Sequence, residues 1–92
     1  MNKKKLRYAI LKEIEQGNNG LTEEKLKIRQ NEFDETIRFL DRENYLIGIT
    51  YADDRPIISR VVLTEKGEAY LEQNSALGRA YKGLKEIRDW IR

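Results

Sequence analysis

The feature that most limits what this chain can fold into is a change of hydrophobic period in its middle. On either side, apolar residues recur every three to four positions, as an amphipathic helix requires. From Tyr45 to Leu63, aromatic and β-branched residues instead crowd into two short runs, 45–51 and 57–63. Between the runs lies Ala52-Asp53-Asp54-Arg55-Pro56, whose two Asp and one Pro are turn formers. Residues 45–63 are therefore predicted to form a two-stranded ribbon with a short loop. Pro56, at the start of the second strand, is tolerated at an edge or in the turn.

Helices are predicted on both sides of this ribbon. The first spans about 2–16, with Leu6, Ala9, Ile10 and Ile14 as its apolar stripe and Gly17-Asn18-Asn19-Gly20 as its stop. A second, about 22–28, begins with Thr22 as cap, Glu23 and Glu24 at the positive end of the dipole, and Leu21 stapled against Leu26. The third, about 31–43, starts at Asn31 with Asp34 three positions on, a loose capping box, and carries Phe33, Ile37 and Leu40 inward. Asn44 takes the left-handed position after it. Beyond the ribbon, Thr64 caps a helix at about 64–73, and Ser75 starts a last helix at about 75–92. The expected fold is mainly α with a small β-hairpin: one winged helix-turn-helix domain over 1–92, extended by a C-terminal amphipathic helix. Its shared interior is Leu6, Ile10, Phe33, Ile37, Leu40 and Leu71.

Composition narrows the chemistry. With no Cys and no His among 92 residues, disulfides, thiolate metal sites and the common nucleophile–base pairs are unavailable. Ser59 and Ser75 have no base beside them, and Ser75 serves better as a cap. The pairs Glu23–Glu24, Asp34–Glu35 and Asp53–Asp54 each sit where a helix start or turn needs acids, so no metal and no cofactor are expected. Gly17 and Gly20 lack the lysine of a phosphate-binding loop. An enzyme is not expected. No apolar run nears the ~20 residues of a membrane span, so no membrane partner is expected. The basic start Lys3-Lys4-Lys5 is followed by Arg7, Lys12 and Glu13 rather than by the hydrophobic region of a signal peptide. A cytoplasmic location suits these features.

Two segments resemble winged-helix regulators. One is Ile37-Arg38-Phe39-Leu40-Asp41-Arg42-Glu43-Asn44-Tyr45-Leu46-Ile47, similar to a recognition helix running into the first wing strand. The other is Leu63-Thr64-Glu65-Lys66-Gly67, similar to the turn into the helix after the wing. The whole chain, from the Lys3-Lys4-Lys5-Leu6-Arg7-Tyr8 start through Asp53-Asp54-Arg55-Pro56 to Arg88-Asp89-Trp90-Ile91, resembles the YjcQ-like family. That resemblance implies small phage and prophage proteins of Gram-positive bacteria with a winged-helix fold, and implies no biochemical role. Asn44 departs from the glycine usual at that point in related winged helices.

Charge divides the possible partners. Residues 1–31 hold eight bases and four acids, residues 32–72 five bases and ten acids, and residues 73–92 five bases and two acids. A winged helix meets phosphate with its third helix and wing, and here that region is the acidic one. The residues placed to touch nucleic acid are Lys25, Lys27, Arg29 and Gln30 around the turn before the third helix, Arg38 and Arg42 on it, and Arg55 at the wing tip. For Arg38 and Arg42 the competing role is pairing with Asp34 or Glu35 on a solvated face; for Arg55 it is that of a turn residue. Phe39, outside the core stripe, is expected to pack against the second helix or the wing. In the last helix Leu77, Ala80, Leu84, Ile87 and Ile91 recur at heptad spacing, broadened by Tyr81, Gly83 and Trp90. It either closes the core against the first helix or offers Leu77, Tyr81, Leu84, Trp90 and Ile91 to a second copy or another protein. Its opposite face, with Arg79, Lys82, Lys85 and Arg92, can join Lys3, Lys4, Lys5 and Arg7 in a basic surface away from the wing. Two functions therefore stand: binding of double-stranded DNA as a regulator, or protein interaction without DNA.

Overall fold

The computed structural model describes all residues, 1–92. Helix α1 (Lys3–Glu15) is the central element, capped by the Asn2 side chain, which accepts from the Lys5 N–H at 3.0 Å. Leu6, Tyr8, Ala9, Ile10, Leu11 and Ile14 are all buried, so nearly two faces of this one helix are covered by the rest of the chain. Gly17 takes the left-handed conformation just past its end, as the Gly-Asn-Asn-Gly run predicts. Helix α2 is shorter than expected, Glu23–Leu26, with Thr22 accepting from the Lys25 N–H at 3.2 Å. Leu21 and Leu26 are both buried, consistent with the predicted staple.

Helix α3 (Gln30–Arg42) starts one residue earlier than the Asn31–Asp34 spacing suggests. Its first turn is closed by Glu32, whose carboxylate accepts from the Arg29 N–H at 2.9 Å, which leaves Asp34 for another task. Asn44 follows at φ 63°, the left-handed residue expected there.

The ribbon consists of two antiparallel pairs. Strand β1 (Leu46–Ile47) pairs with β4 (Val62–Leu63), and β2 (Thr50–Ala52) with β3 (Arg55–Ile57). Asp53 and Asp54 both have positive φ, the signature of a two-residue hairpin loop of the I′ kind. Ala52 and Arg55 flank that loop, so Tyr51↔Pro56 falls at a position where no ladder N–H is needed, and the proline costs no hydrogen bond. Between the pairs the ribbon bulges. Gly48 (φ 98°) lies so close to the Arg60 carbonyl that an added Cβ would sit 2.8 Å from it. Asn19 fastens this bulge to the loop after α1, donating to the carbonyls of Ile58 (3.2 Å) and Val61 (2.7 Å).

Helix α4 (Glu65–Gln73) is capped by Thr64, which accepts from the Gly67 N–H at 3.0 Å and donates to the Asn44 carbonyl at 2.5 Å. Gly67 is required by packing, because a Cβ there would collide with the Tyr45 carbonyl. The single helix expected over 75–92 is instead broken. Helix α5 (Ser75–Ala80) ends at an extended Tyr81, Gly83 follows at φ 92°, and a 3₁₀ turn (Leu84–Glu86) leads into α6 (Ile87–Trp90). The break lets the chain reverse onto α1, so the heptad positions do not form one stripe. Ile87, Trp90 and Ile91 enter the core beside Leu6, Ile10, Phe33, Ile37, Leu40 and Leu71. The result is a mainly α fold with a small β-hairpin, as expected. No helix is long and apolar enough to cross a membrane.

Candidate nucleic-acid interface

Helix α3 is the element to build from, since its core stripe leaves three other flanks. Asp34, Arg38 and Asp41 stand at i, i+4 and i+7 and share one flank, and all three reach the hairpin tip. Asp34 receives the Arg55 guanidinium, with Nε donating to Oδ1 at 3.1 Å and lying 2.9 Å from Oδ2 in the ion pair. Nη2 of the same arginine bridges Asp34 (3.0 Å) and Glu23 of α2 (3.2 Å). Arg38 donates to the Asp54 carbonyl, and the Tyr51 hydroxyl donates to Asp41 at 2.9 Å. Burial, and next this hydrogen bond, push the Tyr51 phenol above its ordinary pKa. Hence Arg38 and Arg42 do not form the expected pairs with Asp34 or Glu35, and Arg55 is more than a turn residue: it staples ribbon, α2 and α3 together.

Beyond Arg38, which borders both regions, α3 faces the start of α1 across a groove of ≈ 530 Å³. Lys3 and Arg7 of α1 and Arg38 and Arg42 of α3 line it, against the carboxylates of Glu32 and Glu35. Phe39 forms part of the wall. The Arg7 guanidinium lies 3.6 Å from the centre of its ring and that of Arg42 5.6 Å, both within cation–π reach. Phe39 therefore packs under α1 and beside Tyr45 (ring centres 6.4 Å apart), not against α2. The exposed ridge between the flanks carries Asn31, Glu35, Arg38 and Arg42.

Part of the excess of acid in residues 32–72 thus has a structural explanation. Asp34 and Asp41 hold the hairpin and Glu32 closes the first turn of α3, while Lys3 and Arg7 bring cations from another part of the chain. Sequence reasoning missed Lys3 and Arg7 at this place, assigning them to a basic surface with the last helix. Their i, i+4 spacing puts them on one face of α1, but nothing local shows that α3 crosses there.

The remaining candidates scatter. Lys25 turns back and donates to the Gly20 carbonyl at 2.8 Å. Arg29 and Gln30 are exposed at the start of α3. Lys27 is exposed in the left-handed conformation at the end of α2 (φ 60°), which costs a non-glycine residue on the order of 1 kcal/mol. It shares a second concavity with Lys85 and Arg88. Of the residues considered for a partner, Ile91 and Trp90 are buried, and the Trp90 indole donates to the Lys5 carbonyl at 2.9 Å. Tyr81 is half-buried, its ring 5.3 Å from that of Trp90 and its hydroxyl bonded to Glu13. Leu77 and Leu84 are likewise half-buried against the core. The C-terminal segment uses its apolar groups within its own chain, because the break at 81–83 turns them inward.

Fold and site together define a small mainly α protein with a β ribbon locked onto its third helix and a cationic groove beside it. Residues 4–90 match the YjcQ protein family, and the chain belongs to that family. It is 52% identical over 94 residues to the uncharacterised protein YjcQ of Bacillus subtilis (strain 168), covering all of both chains. It is also similar to the solution NMR structure of that Bacillus subtilis protein, at 50% identity and a TM-score of 0.69, over 76% of this chain and 92% of the other.

Proposed function

We propose that this chain is a non-enzymatic, cytoplasmic winged-helix protein that binds double-stranded DNA with α3, as a small regulator of the phage or prophage kind. The observation that carries the reading is the groove beside α3, where four cations from two helices meet two carboxylates on an exposed face. The ridge residues support it further. Arg, Asn and Glu are the side-chain types that read guanine, adenine and cytosine edges in the major groove, and Asn31, Glu35, Arg38 and Arg42 stand together on one helix. The order α1, α2, α3, ribbon, α4 matches a winged helix-turn-helix, in which the third helix enters the groove. In this reading the hairpin does not grip phosphate, because its tip exposes Asp53 and Asp54 and holds Arg55 inward; it orients α3 instead.

Fluorescence anisotropy with a short mixed-sequence duplex, at low and at physiological salt, tests the proposal. Binding should weaken steeply with salt. Lys3→Ala and Arg7→Ala, in the groove wall, should each flatten the plot of log K against log salt by about 0.9 for every phosphate no longer neutralised. Flat titrations at low salt, or slopes indifferent to both substitutions, would defeat it.

A further inference from the structure

We propose that the C-terminal segment carries a second phosphate-binding site, formed by Lys85 and Arg88 together with Lys27, that extends the DNA footprint beyond α3; it rests on the DNA-binding reading above. These three side chains line a concavity of ≈ 300 Å³ with no apolar wall, accompanied by the carboxylates of Glu86 and Asp89. None of the three cations is in an ion pair, whereas Asp89 lies 3.7 Å from Arg92. Their meeting follows from the way the chain ends close. The Asn2 N–H donates to the Ile91 carbonyl at 2.5 Å and the Trp90 indole to the Lys5 carbonyl, which pins α6 beside the start of α1. The break at Tyr81–Gly83 turns α6 back against α1, with Lys85 and Arg88 beside Lys27 in the turn between α2 and α3.

Position selects the ligand. In a helix-turn-helix the helix before the recognition helix crosses the DNA backbone, and Lys27 is the residue that ends that helix here. It is a lysine held in a conformation that glycine or asparagine adopts more readily, and it shares its concavity with two further cations. The first groove is lined by Asn31 and Glu32 in the first turn of α3, and this concavity by Lys27, just before that helix begins. A duplex seated on the α3 ridge passes its sugar-phosphate backbone over both.

The test compares the wild-type chain, Lys85→Ala/Arg88→Ala, and the charge-matched Lys12→Ala/Arg79→Ala, whose residues line a different concavity with Glu15, Glu68 and Glu72. Each is titrated with the same duplex over a salt series. The Lys85/Arg88 variant should lose about 0.9 to 1.8 from the salt slope, the control much less, and the backbone amides of residues 84–90 should shift in the wild-type NMR spectrum as duplex is added. The inference is overturned if wild-type chain binds but the Lys85/Arg88 variant keeps its slope or loses no more than the control. Absence of wild-type binding at low salt overturns the DNA-binding reading itself, and this site with it.

Discussion

Glu13 lies on the inward side of α1, where a carboxylate is tolerated because two donors reach it. Asn18 donates to one oxygen at 3.0 Å and the Tyr81 hydroxyl to the other at 2.6 Å, and no buried side-chain polar atom in the molecule lacks a partner. Tyr81 is affected in turn. Burial first, and then its bond to Glu13, push the phenol well above its ordinary value. A phenol raised in the folded state binds its proton more tightly there than in the unfolded chain, where it titrates near ~10. Its contribution to stability is therefore fully present below about pH 10 and is lost as pH rises beyond it. Tyr81→Phe should lower stability at pH 8 by about 1–3 kcal/mol, since Glu13 loses a donor. The same variant should show a shallower fall in Tm between pH 8 and 11, with Tyr51 and Tyr70, also raised, leaving some slope. Thermal melts across that range decide the matter; parallel curves for the two proteins would contradict it.

At the scale of elements, the ribbon and α3 behave as one body because Asp34, Arg38 and Asp41 each take hold of the hairpin tip. Two of these links are single hydrogen bonds at exposed sites, while Asp34 is only 10% exposed at its side chain and binds two nitrogens of Arg55. Arg55→Ala should therefore loosen the hairpin without unfolding the core. Amide exchange of Thr50 to Ile57 should speed up several-fold while the amides of α1 keep their protection. Unchanged exchange in the hairpin would show that the staple does not hold it. The existence of these elements is legible in the sequence. Asn44 has the left-handed cap expected of it, and the Asp53-Asp54 turn lies between the two strand runs, as expected. Their docking is not legible, since Arg55 and Asp34 are 21 positions apart and nearer partners for Asp34 look equally good. The last helix departs from expectation for a related reason. The spacing of Leu84, Ile87 and Ile91 fits a continuous helix, and only Gly83, a residue costing about 1 kcal/mol relative to Ala in a helix interior, marks the place where the chain turns.

Over the whole molecule, what joins the parts is the closure of the two ends upon each other. Helix α1, packed directly on α3, carries Lys3 and Arg7 to its flank, and the closure carries Lys85 and Arg88 to the end of α2, which no local pattern announces. It also makes the C-terminal segment part of the core. Ile87, Trp90 and Ile91 are nearly or fully buried, and the Tyr8, Tyr81 and Trp90 rings lie 5.3 to 6.4 Å apart against α1. Gly78 permits this approach, because a Cβ there would strike the Tyr8 hydroxyl. Burying each isoleucine is worth about 1.5–3 kcal/mol, and truncating a core tryptophan costs about 3–5 kcal/mol. Those losses together rival the roughly 5–15 kcal/mol by which a whole domain is stable. A chain ending at Asn74 should consequently lack a cooperative thermal transition and bind a hydrophobic dye, whereas the full chain should melt in one step. If the segment beyond Asn74 were instead an appendage held for a partner, the shortened chain would melt cooperatively, within a few degrees of the intact one. That single melting curve separates a segment that completes the core from one that waits for a second protein.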